Sequence, residues 1–226
     1  TRDLLTHGLT IVSGLALGID GAAHEATIAA GGVTIAVLGS GLDRASLYPS
    51  QHRHLADRII EHGGAVMTEY PPGSLPNKYH FPERNRIIAG IAKGVLVVEA
   101  KEGSGSLITA RFALDEGRDV FAVPGSIESE TSAGPHQLLR LGATLTTDAN
   151  DILQALDIPS STAEKPTPKL EGVEAIIYAT LNHEPQHVDD LAETLSLDIA
   201  ALTGTLALME IKGLVKNLGA MRFVKN

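Results

Sequence analysis

One segment of the sequence combines cations with aromatic rings. Residues 78–86 read KYHFPERNR and hold three Lys or Arg against one Glu, a net charge of +2. Tyr79 and Phe81, two of only eight Tyr and Phe residues in the chain, lie among these cations. Cationic groups pair with phosphates, and a ring stacked on an unpaired base contributes roughly 1–3 kcal/mol. The segment therefore favours single-stranded nucleic acid as a ligand. The alternative is a surface loop whose arginines pair with the sheet's own carboxylates and whose Phe belongs to the core.

The same segment leads into a predicted helix at 84–93, with Pro82 at its entry and three isoleucines, Ile87, Ile88 and Ile91, as its buried face. This assignment puts Arg84 and Arg86 in or beside the first turn. There the helix dipole disfavours cations by roughly 0.3–1 kcal/mol each. A helix optimised for stability alone would place acids there, so the two arginines are predicted to serve a ligand.

Four glycine-bearing turns follow predicted strands. They are Ser13–Asp20, Gly39–Gly41, Gly103–Ser106 and Pro124–Ser126. At the carboxyl ends of parallel strands, such turns line the ligand crevice, and glycine lets backbone N–H groups approach an anion. Gly103-Ser104-Gly105-Ser106 leads directly into a helix and is the best phosphate-binding candidate. The alternative is a plain strand-to-helix connection capped by Ser104 or Ser106, and the residues leave both open.

Common enzyme signatures are absent from the sequence. It contains no Walker phosphate loop, no H-E-x-x-H and no G-x-S-x-G. His52 and His54 lie beside Arg53 and Arg58, so we interpret them as solvated side chains of a helix rather than zinc ligands. Asp20 is predicted to be the N-cap of helix 21–31, with His24 one turn inside. We therefore predict no catalytic residue, no metal and no cofactor.

Composition limits the class of protein. The chain has 226 residues, 43% hydrophobic and 20% charged, with no Cys and a net charge of −9. These values fit a folded protein without a membrane span, and the absence of Cys fits a cytoplasmic location. Such an acidic chain does not coat nucleic acid through its overall charge, so any binding requires a local basic groove.

Apolar runs rich in Val, Ile and Thr alternate with helical stretches over residues 1–158. The predicted strands are 9–13, 33–38, 64–69, 94–99, 119–123 and 143–146, and the predicted helices are 21–31, 51–62, 84–93, 105–117, 134–141 and 148–156. This alternation predicts an α/β fold, an extended Rossmann-like parallel sheet with helices on both faces. Residues 1–8 read as the end of a helix without an initiator Met, so we expect that upstream sequence is missing.

A Pro-containing linker is predicted at 159–172, followed by a small winged-helix-like domain at 173–226. The second domain has helical periodicity at 173–181, 187–195 and 199–211 and a hairpin turning at Asn217–Gly219. Residues 171–226 hold four Lys or Arg against eight Asp or Glu. Because phosphate neutralisation supplies most of the affinity for duplex DNA, we predict a protein-contact or regulatory role for this domain.

Taken together, these segments resemble the DNA-processing protein A family of bacteria (DprA, also called Smf). The matching segments are Ser13–His24, Ile35–Asp43, Tyr48–Pro49, Glu69–Gly73, His80–Gly90, Gly103–Ala110 and Phe121–Ser126. The resemblance implies a protein that binds and protects single-stranded DNA, forms a homodimer and helps load RecA recombinase in natural transformation, without catalysis or a cofactor.

The resemblance also implies a DNA-binding site. Its residues would be Lys78, Phe81, Arg84, Asn85 and Arg86, with Gly103, Ser104, Gly105 and Ser106 as the phosphate-contacting wall. The family's first strand, and the Gly-Ser-Arg loop after it, have no counterpart in this sequence.

Two other functions stay open. Related Rossmann-like folds hydrolyse nucleoside monophosphates, although the Pro-Gly-Gly-x-Gly-Thr loop of those enzymes matches Gly103–Ser106 poorly. A purely structural dimerisation scaffold is the third possibility, and it predicts no DNA binding.

Overall fold

The computed structural model describes residues 1–159, 170, 172–182 and 185–225. The chain divides into two compact units, Thr1–Ser161 and Thr162–Asn226. Most of the predicted linker 159–172 lies outside the described residues, so the linker stays a prediction.

The first unit alternates strands and helices, as the sequence predicts. Its strands are β1 (Ile11–Ser13), β2 (Thr34–Leu38), β3 (Ala65–Thr68), β4 (Gly94–Val97), β5 (Asp119–Ala122) and β6 (Thr144–Leu145). Its helices are α1 (Arg2–Leu5), α2 (Ile19–Ala29), α3 (Arg53–Glu61), α4 (His80–Ile91), α5 (Gly105–Asp115), α6 (Ala133–Arg140) and α7 (Ala149–Ala155). Short 3-10 turns at Ser50–His52 and Glu130–Ser132 precede α3 and α6.

The strands of this unit pair in parallel, which confirms the predicted fold class. Their hydrogen bonds form two three-stranded sheets, β1-β2-β3 and β4-β5-β6, where the sequence suggested one. Apolar strand runs indicate burial but do not specify neighbours, so the sequence could not reveal this division. In each sheet the carboxyl ends of the strands share one edge, which brings the glycine turns together.

Helices flank the sheets and form the core with them. Ala36 and Leu38 of β2 are fully buried and pack with Leu55 and Ile59 of α3. Phe121 of β5 packs with Leu153 of α7 and with other apolar residues from the same region. These continuous apolar contacts explain why the buried strands show no alternating pattern.

The second unit has the winged-helix arrangement that the sequence predicts. Its elements are α8 (Gly172–Thr180), β7 (Gln186–His187), α9 (Val188–Leu195), α10 (Ile199–Ile211), β8 (Val215–Asn217) and β9 (Arg222–Lys225). The strands form an antiparallel sheet in the order β7-β9-β8. Asp198 caps α10 by accepting hydrogen bonds from Ala200 and Ala201. Strand β7 was not predicted, because its two residues have no apolar run.

No single helix in the described part of the chain is long and apolar enough to cross a membrane. The pair α9 and α10 reaches the required length and composition only when taken together, and it is bent by 113°.

Candidate nucleic-acid interface

Helix α4 begins earlier than predicted and buries a different face. It starts at His80, so Pro82 is its third residue, where its missing N–H costs no hydrogen bond. Arg84 and Arg86 therefore lie beyond the first turn, so their predicted position in or beside it, and the helix-dipole cost there, are wrong. The predicted buried face is also wrong, because Ile91 is 49% exposed and the buried positions are Arg84, Asn85 and Ala89.

Arg84 lies in the interior. Its side chain is 5% exposed, and its Nη1 donates to the carbonyl oxygens of Gly14, at 2.9 Å, and of Val37. Its Nε donates to Asn85 Oδ1 at 3.1 Å. Burial lowers the pKa of Arg84, and the nearby charge of Asp20 opposes this shift. The prediction that Arg84 contacts phosphate is corrected, because its donors are directed to the protein's own backbone.

Asn85 connects α4 to the predicted phosphate loop. It is 8% exposed, and its Nδ2 donates to the carbonyl oxygen of Gly105 at 3.1 Å. The side chain is therefore also placed inside rather than toward a ligand. Together, Arg84 and Asn85 donate hydrogen bonds to the backbone at three places: the turn after β1, strand β2 and the loop after β4.

The turn after β1 is fixed from both sides. Asp20 Oδ2 accepts hydrogen bonds from the amides of Gly14, at 3.0 Å, and Ala16, at 3.1 Å. The N-cap of α2 is Gly18, so the prediction that Asp20 caps this helix is wrong. Asp20 instead stabilises the turn that precedes the helix. A Cβ on Gly14 would lie 2.6–2.9 Å from the Arg84 guanidinium, so only glycine fits here without movement.

Phe81 packs against the turn after β2. A Cβ on Gly39 would lie 2.9 Å from Phe81 Cδ1. The neighbouring His80 places its Nδ1 3.2 Å from the Gly39 carbonyl oxygen, and its ring stacks on Tyr70 with centroids 3.9 Å apart. Phe81 is half-buried, and the ring of Tyr48 lies next to it, with centroids 5.6 Å apart.

Of the predicted cations, Lys78 is the most available. It is exposed, its Nζ lies 5.0 Å from the ring centroid of Tyr79, and no ion pair involves it within the described residues. Arg86 is also accessible, but its guanidinium donates to both carboxylate oxygens of Glu69. The alternative that the sequence left open, pairing with the protein's own carboxylates, is therefore realised at Arg86.

The Gly103–Ser106 loop leads into α5 without a side-chain cap. Gly103 has a φ of +76°, and Ser104, at the N-cap position, makes no capping hydrogen bond. Instead, the Ser104 and Ser106 hydroxyl oxygens lie 3.0 Å apart. The capping alternative is thus wrong in this structure, and no side-chain cap occupies the first amides of α5. A groove of about 540 Å³ runs from this loop along α5 and is lined by Gly103, Ser104, Leu107, Ile108, Arg111, Phe112 and Asp115.

The two neighbouring histidines, His52 and His54, lie in different surroundings. His54 is exposed as predicted, but His52 is half-buried, and its Nδ1 lies 2.8 Å from the Leu15 carbonyl oxygen. The sequence could not show this contact, because it joins residues 37 positions apart. In the part of the chain that the structure describes, no three His, Asp or Glu side chains could together hold a metal ion.

Tyr48 is the residue near this site to which the sequence analysis gave no function. It is 47% exposed and contacts Phe81, although 33 residues separate the two in the chain. The sequence offered one indication that Tyr48 could be functional: aromatic residues are scarce, and Tyr48 is one of only four tyrosines.

The two units define the class: a Rossmann-like α/β unit with glycine turns held by one helix, joined to a winged-helix unit. A family model for DNA recombination-mediator protein A matches residues 1–157, and a DprA winged helix domain model matches residues 161–221. The chain therefore belongs to the DNA recombination-mediator protein A family, which confirms the resemblance found in its sequence.

Similar proteins come from several bacteria. Protein Smf of Escherichia coli K12 is 43% identical over 219 residues, which are 93% of this chain and 58% of that protein. DNA processing protein DprA of Streptococcus pneumoniae R6 is 54% identical over 149 residues, 66% of this chain and 52% of that protein. The chain thus spans little more than half the length of these curated relatives.

Two solved structures are similar in fold over about two thirds of this chain. The X-ray structure of DprA from Streptococcus pneumoniae has a TM-score of 0.62 and 52% identity, over 68% of this chain and 53% of that one. A structure of DNA processing protein A from Helicobacter pylori, described for its single-stranded DNA binding mode, has a TM-score of 0.60 and 29% identity, over 69% of each chain.

Proposed function

We propose that the first unit binds single-stranded DNA at the surface formed by Lys78, Phe81 and the Gly103–Ser106 loop, which we call the strand-end face. The observation that supports this most is the role of α4. Through Arg84, Phe81 and Asn85, this helix contacts the turns after β1, β2 and β4. The same helix begins just after the exposed Lys78, so it connects an accessible cation with the glycine turns.

The chemistry of this surface suits a single strand. Backbone amides at the start of α5 offer donors to a phosphate, and Lys78 adds a charge. An aromatic ring next to them stacks on any base, because every base has a π-face. Since these contacts go to phosphates and ring faces, we expect little preference for base sequence.

The wider role is part of the proposal, and membership of the family supports it. We propose that the protein protects incoming single strands and helps load RecA recombinase during natural transformation, as a homodimer and without catalysis or a cofactor. Its relatives are named DNA processing proteins, and the Helicobacter pylori relative is described as binding single-stranded DNA. Release of ribose phosphate from nucleoside monophosphates by the purified protein would instead favour the nucleotide-hydrolase alternative.

The experiment that tests the site compares Lys78→Ala and Phe81→Ala with Lys93→Ala, by fluorescence anisotropy on labelled oligo-dT. Lys93 is exposed just beyond the opposite end of α4 and serves as the charge-matched control. We expect several-fold weaker binding for Lys78→Ala and roughly 5- to 150-fold weaker binding for Phe81→Ala, the range for one stacked base.

Binding by Lys93→Ala should equal that of the wild type. Thermal unfolding of each variant separates lost contacts from lost structure. Wild-type affinity in both Lys78→Ala and Phe81→Ala would contradict the proposed site.

A further inference from the structure

We infer that Tyr48 is a second base-stacking ring of the strand-end face, so that Tyr48 and Phe81 each receive one of two consecutive bases. This inference rests on the proposed function and adds a contact residue to it. It follows from the exposure of Tyr48, from its angle to Phe81 and from the way its loop is fixed.

Contact with Phe81 distinguishes Tyr48 from Tyr70 and Tyr79, the other tyrosines near the start of α4. Phe81 is half-buried and packs against Gly39. The ring of Tyr70 is covered by His80, which stacks on it at an interplanar angle of 18°. Tyr79 is more exposed than Tyr48, at 64%, but the Lys78 ammonium lies over its ring, 5.0 Å from the centroid. Tyr48 is 47% exposed, and within the described residues no cation lies over its ring and no residue hydrogen-bonds its hydroxyl group.

The angle between the two rings selects for an unpaired strand. The planes of Tyr48 and Phe81 are tilted by 51°, with centroids 5.6 Å apart. Two bases stacked on these rings are tilted relative to each other, so they cannot remain stacked together. A single strand can open in this way at little cost, whereas a duplex would have to unstack and kink at that step.

The loop that bears Tyr48 is held in place, as a binding ring requires. Asp43 accepts hydrogen bonds from the backbone amides of Gly73, at 2.6 Å, and Ser46, at 3.1 Å. Leu47, the residue before Tyr48, is 8% exposed and belongs to the core around β2. The ring therefore starts from a fixed backbone and loses little conformational freedom when a base binds.

The test uses Tyr48→Leu, Tyr48→Phe and the control Leu42→Ala, which removes a side chain that is 48% exposed from the same loop. Affinity for oligo-dT is measured together with quenching of intrinsic tyrosine emission. The chain has no Trp and four Tyr, so emission reports on the tyrosines. Tyr48→Leu should bind roughly 5- to 150-fold more weakly. Tyr48→Phe should keep the affinity but lose part of the quenching, and Leu42→Ala should match the wild type in both.

The outcomes separate the inference from the proposed function. Wild-type affinity in Tyr48→Leu, beside weakened binding in Phe81→Ala, would overturn the inference and leave the proposed function standing. Full quenching in Tyr48→Phe would also overturn it, because the Tyr48 ring would then not contact a base. Failure of the wild-type protein to bind oligo-dT would overturn the proposed function, and the inference with it.

Discussion

Arg84 shows how a buried charge can organise a site without touching the ligand. Taking a guanidinium out of water is costly unless its donors find partners. Here the partners are two backbone carbonyls and Asn85, and Asp20 supplies a nearby negative charge. The sequence pattern predicted Arg84 to be one of three surface cations. A sequence shows which residues are charged, but it does not show that a single arginine is buried.

Replacing Arg84 should destabilise the protein far more than replacing Arg86. Arg84→Met leaves buried acceptors without donors, and we expect a loss of about 3–5 kcal/mol in the free energy of unfolding. Arg86→Met breaks only the exposed pair with Glu69, which is worth less than about 1 kcal/mol. Urea unfolding of the two variants measures the difference, and similar losses would contradict the interior role of Arg84.

His24 is a buried residue whose protonation is opposed by its surroundings. The Thr34 hydroxyl donates to the Ile11 carbonyl, so His24 Nδ1, 2.7 Å away, must be the donor to Thr34. The proton-free nitrogen is then Nε2, which is buried without a partner in the described structure. Burial lowers the pKa of His24 to about 4; Asp20 opposes this shift and His52 adds to it.

This arrangement predicts a loss of stability in mild acid. The unfolded chain binds a proton at His24 near pH 6.5, whereas the folded protein does so only near pH 4. The stabilisation is therefore complete above pH 6.5 and declines as the pH falls toward 4, by about 2 kcal/mol between pH 7 and pH 5. His24→Asn keeps a donor for Thr34 and should lack this part of the decline. Parallel curves of unfolding free energy against pH in the two proteins would show the assignment to be wrong.

At the scale of elements, α4 holds the glycine turns in position. Its early residues contact the turns after β1, β2 and β4, so the geometry of the strand-end face depends on one helix. Phe81 packs tightly against Gly39. Because Gly39 does not have a positive φ, glycine is required here to leave room for the Phe81 ring and not to allow an unusual backbone conformation.

A methyl group at Gly39 should therefore displace Phe81. Gly39→Ala is expected to lower the free energy of unfolding by about 1–3 kcal/mol, the usual cost of overpacking, and to weaken oligo-dT binding as well. Gly90→Ala is the control within α4, because its added Cβ meets nothing within 4 Å and alanine favours a helix. Chemical unfolding and anisotropy are measured on both, and unchanged binding in Gly39→Ala would contradict the coupling.

The elements were largely predictable, and their side-chain contacts were not. Continuous apolar runs marked all six strands of the first unit, and glycines marked the turns after them. The start of α4 was missed by four residues, because Pro82 was taken as its entry rather than its third residue. The pairs Arg84 with Gly14, Asn85 with Gly105 and Tyr48 with Phe81 join distant parts of the chain, and local patterns do not specify such contacts.

At the scale of the whole molecule, the acidic character extends to the winged-helix unit. Within the described residues, the basic residue at the end of α10 is Lys212, and its Nζ lies 2.7 Å from Glu174 Oε1. The helix that would enter a DNA groove thus presents no free cation along its length. A protein-contact or regulatory role for this unit stays a prediction.

The strand-end face is also less positive than its sequence suggests. Arg84 is buried and Arg86 is paired, which leaves Lys78 as the most available of the three predicted cations. Affinity should then come largely from stacking and backbone amides. We therefore expect a shallow salt dependence, corresponding to one or two phosphate contacts.

A salt titration of binding to oligo-dT and to a duplex of equal length, with wild type, Lys78→Ala and Lys93→Ala, is the most direct test. The single strand should bind more tightly than the duplex at every salt concentration. The slope of log binding constant against log salt concentration should be about −0.7 per contacted phosphate. Lys78→Ala should lower the magnitude of this slope by about 0.7, and Lys93→Ala should leave it unchanged. Equal affinity for the duplex, or an unchanged slope in Lys78→Ala, would contradict single-strand binding at the strand-end face.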